Sequence, residues 1–81
     1  MQIFILAAMA NPVIGFGIVY GDEMIYCEAS MTERSYEIFF NGLWMASVEH
    51  TDQFNWIQAS GVILPQSIID EIGQRIESHY N

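Results

Sequence analysis

Asn41-Gly42 is the feature that most limits what this chain can become. The pair supplies the two positive-φ residues of a type I′ turn, whose twist matches that of paired strands. Expected strands flank it, Arg34 to Phe40 before and Leu43 to Glu49 after. A two-residue loop pairs Phe40 with Leu43 and Phe39 with Trp44. It also pairs Ile38 with Met45, Glu37 with Ala46, Tyr36 with Ser47 and Arg34 with Glu49. A second hairpin is expected at Gly21-Asp22, between strands 13–20 and 23–29. Its register sets Gly15 against Glu28 and Gly17 against Tyr26, whose ring lies over the bare Gly17 backbone. Strands are also expected at 3–9 and 54–60. Twelve Ile against three Leu suit this strand-rich reading, because β-branched side chains fit a pleated surface.

One helix follows, over about 65–79. Ile68, Ile69, Ile72, Ile76 and Tyr80 recur at helical spacing. Pro65 suits its first turn, and Ser67 with Asp70 has a capping-box-like spacing. Gly73 weakens the helix by about 1 kcal/mol but permits a close approach to the sheet. His79, in the last turn, complements the helix dipole. Strands in succession and then a helix predict a single α+β domain over residues 1–81. It has an antiparallel meander-like β-sheet of four to six strands with one C-terminal α-helix packed on one face.

Composition excludes several functions. Hydrophobic residues make up 52% of the chain and charged residues 15%, against about 25% charged in an ordinary domain. Disorder is therefore not expected. Ten acidic residues face only Arg34 and Arg75, with no Lys, for a net charge of −8. Two cations make no phosphate-neutralising footprint, so nucleic acid is not an expected partner. An anionic membrane surface is disfavoured for the same reason. The lone Cys27 forms no internal disulfide, which points to a reducing compartment, the cytoplasm. It lies in an apolar run and reads as a small core residue. Residues 1–20 carry no charged side chain, but Asn11-Pro12 breaks the run and argues against a membrane span. Ala8-Met9-Ala10 fits a small-x-small cleavage pattern without the basic segment of a signal peptide.

Chemistry-bearing motifs are sparse. No spacing marks a catalytic residue, and no cofactor is expected. Gly15-Phe16-Gly17 has neither the third Gly nor the following helix of a dinucleotide loop. Glu49, His50 and Asp52 have the ligand types for a divalent metal and form a weak candidate site; the plainer expectation is a solvated loop with Glu49 paired to Arg34. The aromatic residues are more informative. Phe39 and Trp44 fall on one face of the sheet. Ile38 and Met45 fall on the other, with Trp56 expected opposite Ser47. Both faces thus carry large apolar groups, and one helix covers one of them. The strands at 3–9 and 13–20 are apolar at nearly every position, as in strands covered on both faces. The expectation is a homodimer with Ile3, Ile5, Phe39 and Trp44 in its interface.

The segments Tyr36-Glu37-Ile38-Phe39-Phe40-Asn41-Gly42, Ala46 to His50, Phe54-Asn55-Trp56-Ile57, Leu64-Pro65-Gln66, Ile69 to Gly73 and Ile76 to Tyr80 resemble a group of small uncharacterised bacterial proteins. The resemblance covers about residues 34–80. It implies strand and helix packing and carries no activity, so no catalytic residue is transferred. Three classes of function remain. The favoured one is a small interaction or structural protein without catalysis. The others are an acidic inhibitor or immunity-type protein for a basic target, and a small-molecule or metal binder.

Overall fold

A computed structural model describes residues 12–80. The expected strand at 3–9 lies outside them, as do Ile3 and Ile5. Five strands follow in chain order: β1 (Val13–Tyr20), β2 (Glu23–Met31), β3 (Tyr36–Phe40), β4 (Leu43–His50) and β5 (Trp56–Gly61). They form one antiparallel sheet in the order β1-β2-β3-β4-β5. Helix α1 (Gln66–Tyr80) packs on one face and touches both β1 and β5. The α+β meander with its C-terminal helix is the architecture expected from the succession of elements.

The turns explain the meander. Asn41 and Gly42 have φ of 51° and 86°, as a type I′ turn requires. Asn41 also accepts a hydrogen bond from the Tyr26 N–H at 3.1 Å and donates its own N–H to the Tyr26 carbonyl. The turn is thereby tied to β2. Strand β3 begins later than expected because the chain folds back at Thr32–Ser35. The Thr32 N–H and hydroxyl both donate to the Ser35 carbonyl.

Successive side chains alternate between faces, and α1 covers only one. Its core holds Ile14, Ile18, Ile25, Cys27, Ala29, Ile38, Phe40, Ala46, Val48 and Trp56 from the sheet. Ile68, Ile69, Ile72 and Ile76 close it from the helix. Tyr80, the last member of the expected stripe, is exposed. Gly73 acts as expected: a Cβ there would overlap the indole of Trp56.

Several local expectations are corrected. Beyond Phe39–Trp44, β4 carries a bulge at Met45, so Ile38 faces Ala46, Glu37 faces Ser47 and Tyr36 faces Val48. One extra residue moves every later side chain of β4 to the opposite face. The β4–β5 loop takes up residues 51–55, so Trp56 pairs with His50 rather than Ser47, while remaining on the covered face. Arg34 lies in the β2–β3 turn and makes no ion pair with Glu49. The ion pairs among the described residues are His50–Glu77 and Arg75–Glu71. Tyr26 stands opposite Gly17, but its ring leans diagonally over Gly15 and Met24 takes the space above Gly17. The helix starts at Gln66, and the Pro65 carbonyl accepts from the Ile68 and Ile69 N–H groups. Its first turn holds no acidic residue, and Asp70 accepts from Gln66 at 2.9 Å instead of closing a capping box.

Candidate functional site: the open face of the sheet

The face away from α1 is built from the alternate residues of each strand. It carries Val13, Gly15, Gly17 and Val19 from β1, then Met24, Tyr26, Glu28 and Ser30 from β2. Glu37 and Phe39 come from β3, Trp44, Ser47 and Glu49 from β4, and Ile57 from β5. Val13, Val19, Met24, Tyr26, Trp44 and Ile57 are all exposed, Met24 to 71% and Tyr26 to 53%. Two glycines on β1 leave a bare strip that Tyr26 and Met24 only partly fill. The expected interface residues Phe39 and Trp44 are neighbours here, paired across β3 and β4. Phe39 is half-buried, with Trp44 opposite it on β4 and Glu28 opposite it on β2.

A polar network lies beside this aromatic pair. Trp44 donates its Nε1–H to Glu37 Oε1 at 2.7 Å. Ser47 and Ser35 donate their hydroxyls to Glu37 Oε2 at 2.8 and 3.2 Å. Partial burial works against the charge of Glu37. The hydrogen bonds from Ser47, Trp44 and Ser35 outweigh it and hold the carboxyl below its ordinary pKa. Glu37 is therefore an ionised carboxylate held by neutral donors, and its bond to Trp44 fixes the indole. The bulge at Met45 creates this network by turning Ser47 toward Glu37. A straight two-residue hairpin hides it, which is why the sequence gives no sign of it.

The outer strands of the described sheet offer less. Arg75 reaches from α1 to the Gly17 carbonyl of β1 at 3.1 Å, its guanidinium 5.5 Å from the Phe16 ring centroid. Gln58 of β5 donates to the carbonyls of Ser60 and Val62 and accepts from the Leu64 N–H. Side chains that occupy edge groups oppose strand addition.

The metal candidates are dispersed. Glu49 faces Ile57 on the open side, whereas His50 turns to the covered side. The His50 ring stacks on Trp56 with centroids 4.8 Å apart, and its Nε2 lies 3.5 Å from Glu77 Oε2. Glu77 also accepts the Trp56 indole N–H at 2.8 Å. Asp52 lies in the loop beyond β4. Among the described residues, no three His, Cys, Asp or Glu side chains form a metal-binding group. In the same loop Phe54 has φ of 65° and is 81% exposed, which the sequence does not signal. Its N–H donates to the Thr51 carbonyl, and the Thr51 hydroxyl accepts from the N–H groups of Gln53 and Asn55.

Cys27 is fully buried on the covered face. Burial, with Glu28 nearby, pushes its thiol up to about 12, so it is protonated at neutral pH and is no nucleophile. Among the described residues no helix is long and apolar enough to cross a membrane. No protein-family model matches the chain, and it has no significant match among curated proteins or solved structures.

Proposed function

We propose that this protein is a non-catalytic protein-interaction module whose contact surface is the open face of the sheet. The carrying observation is the aromatic pair Phe39–Trp44, with Trp44 fixed by Glu37 on a face that exposes six large apolar side chains. Soluble monomers seldom expose broad apolar patches, and those that do use them for contact. Aromatic residues held in one conformation are the usual anchors of protein interfaces. A protonated, inaccessible Cys27 and the dispersal of Glu49, His50 and Asp52 favour binding over chemistry. The single buried thiol suits a reducing compartment such as the cytoplasm.

Two occupants fit the surface. A second copy would join the Phe39–Trp44 patches about a two-fold axis, burying about 800 Å² on each side in a standard interface. The second reading is an acidic inhibitor or immunity-type protein on a basic target. Glu28, Glu37 and Glu49 on the same face favour it. Light scattering over a range of concentrations tests the surface. A homodimer through this face doubles the 9.3 kDa mass, and Trp44→Glu returns it to one copy. A dimer indifferent to both Trp44→Glu and Tyr26→Glu would place the contact elsewhere and overturn the reading.

A further inference from the structure

We infer that the occupant of the open face is a basic protein surface, with arginine or lysine side chains set beside apolar ones. The inference rests on the reading of this face as the contact surface. Three carboxylates stand among its apolar groups: Glu28 beside Phe39, Glu37 beside Trp44, and Glu49 beside Ile57. Among the described residues no cation shares the face. Arg34 lies in the β2–β3 turn, Arg75 lies on α1 against β1, and His50 is on the covered side. The ion pairs among the described residues involve none of the three carboxylates. Glu37 is held ionised by neutral donors alone, so its charge is organised but not cancelled.

Complementary charge selects the occupant. Two copies meeting face to face bring three carboxylates toward three carboxylates, and like charges across an interface cost several kcal/mol. A basic surface replaces that repulsion with attraction and still buries the same apolar groups. Guanidinium also suits this chemistry, since it pairs with carboxylates in a planar fork and stacks on aromatic faces. Trp44 and Glu37 offer both within one hydrogen-bonded unit. The net charge of −8 speeds the encounter with such a partner.

The experiment titrates the full chain with a peptide alternating arginine and leucine, and with a counterpart carrying glutamate for arginine. Amide and indole NMR signals report the site. The arginine peptide is expected to shift the Trp44 indole and the open-face amides of β2 to β4, and to bind more weakly as salt rises. Glu28→Gln or Glu49→Gln is expected to weaken binding roughly fivefold, corresponding to about 1 kcal/mol. Glu71→Gln, on the helix at the opposite side of the sheet, leaves it unchanged. Equal binding of the glutamate peptide, or indifference to both open-face substitutions, overturns the basic partner while the contact surface stands. Shifts that map to α1 overturn both. A doubled mass that Trp44→Glu abolishes makes a second copy the occupant and overturns the inference.

Discussion

The two faces of the sheet use apolar side chains in opposite ways. On the covered face Ile18, Ile38, Ala46 and Val48 interlock with Ile69, Ile72 and Ile76 and are shut from water. Most of these groups are aliphatic and compact, and Gly73 lets the helix settle onto Trp56. On the open face the long Met24 and the flat Tyr26 and Trp44 stand exposed beside Val13, Val19 and Ile57. They stand among three carboxylates and several serines. Apolar content alone therefore does not separate core from surface in this chain. The covered face is chosen for volume, and the open face for adjustable contact beside fixed charge.

Truncation of one residue from each face tests this contrast most strongly. Ile72 is fully buried, and Ile72→Ala should cost about 2–5 kcal/mol through lost transfer energy and a residual cavity. Val19 is 56% exposed on the open face, and Val19→Ala should change stability by no more than about 0.5 kcal/mol. Urea unfolding of the free chain measures both. A comparable loss at Val19 would mean that the open face is covered within one molecule.

A sharper form of the comparison uses glycine. A Cβ at Gly73 overlaps the packed Trp56 ring, whose indole is held by Glu77. A Cβ at Gly15 meets the outer end of Tyr26, a side chain that is half exposed and can swing away. Gly73→Ala gains about 1 kcal/mol of helix propensity and loses about 1–3 kcal/mol to overpacking. Its melting temperature should fall. Gly15→Ala should stay within about 0.5 kcal/mol of the parent. A rise in melting temperature for Gly73→Ala would show that the helix does not need its close seat on Trp56.

The sequence revealed these features unequally, for physical reasons. The Asn41-Gly42 turn, the Gly21-Asp22 turn and the isoleucine stripe of α1 are local signals, and each is found where it was read. The β1–β2 register is also as read, since a tight turn and period-two pleating fix it. The β3–β4 pairs beyond Phe39–Trp44 are not, because the bulge at Met45 answers to packing across the sheet. Nothing near Met45 announces it. Phe39 and Trp44 were legible as a shared surface because they lie between the turn and the bulge. Glu37, Ser47 and Ser35 were not, because their meeting depends on that one extra residue. His50 was misplaced for a similar reason. Its neighbours in space are Trp56 and Glu77, the latter from a helix distant in sequence.

The smallest expected effect concerns the charge that distinguishes the open face. The Glu37 carboxyl titrates below its ordinary value because Ser47, Trp44 and Ser35 donate to the ionised form, against the opposing effect of partial burial. A lowered folded-state pKa stabilises the fold above the unfolded-state value, which is about 4.3 for glutamate. That contribution disappears as pH falls through the lower folded-state value. Glu37→Gln keeps the shape and removes the charge. At pH 7 it should cost about 1 kcal/mol, since hydrogen bonds to an ionised acceptor become neutral ones. As pH falls through the parent's lowered folded-state value its carboxylate is itself protonated, so the two proteins should converge. Urea midpoints of both proteins at each pH give the comparison directly, because the two share every other carboxyl group. A difference that stays constant with pH would assign the Glu37 network to shape alone, and would leave the open face without an organised charge.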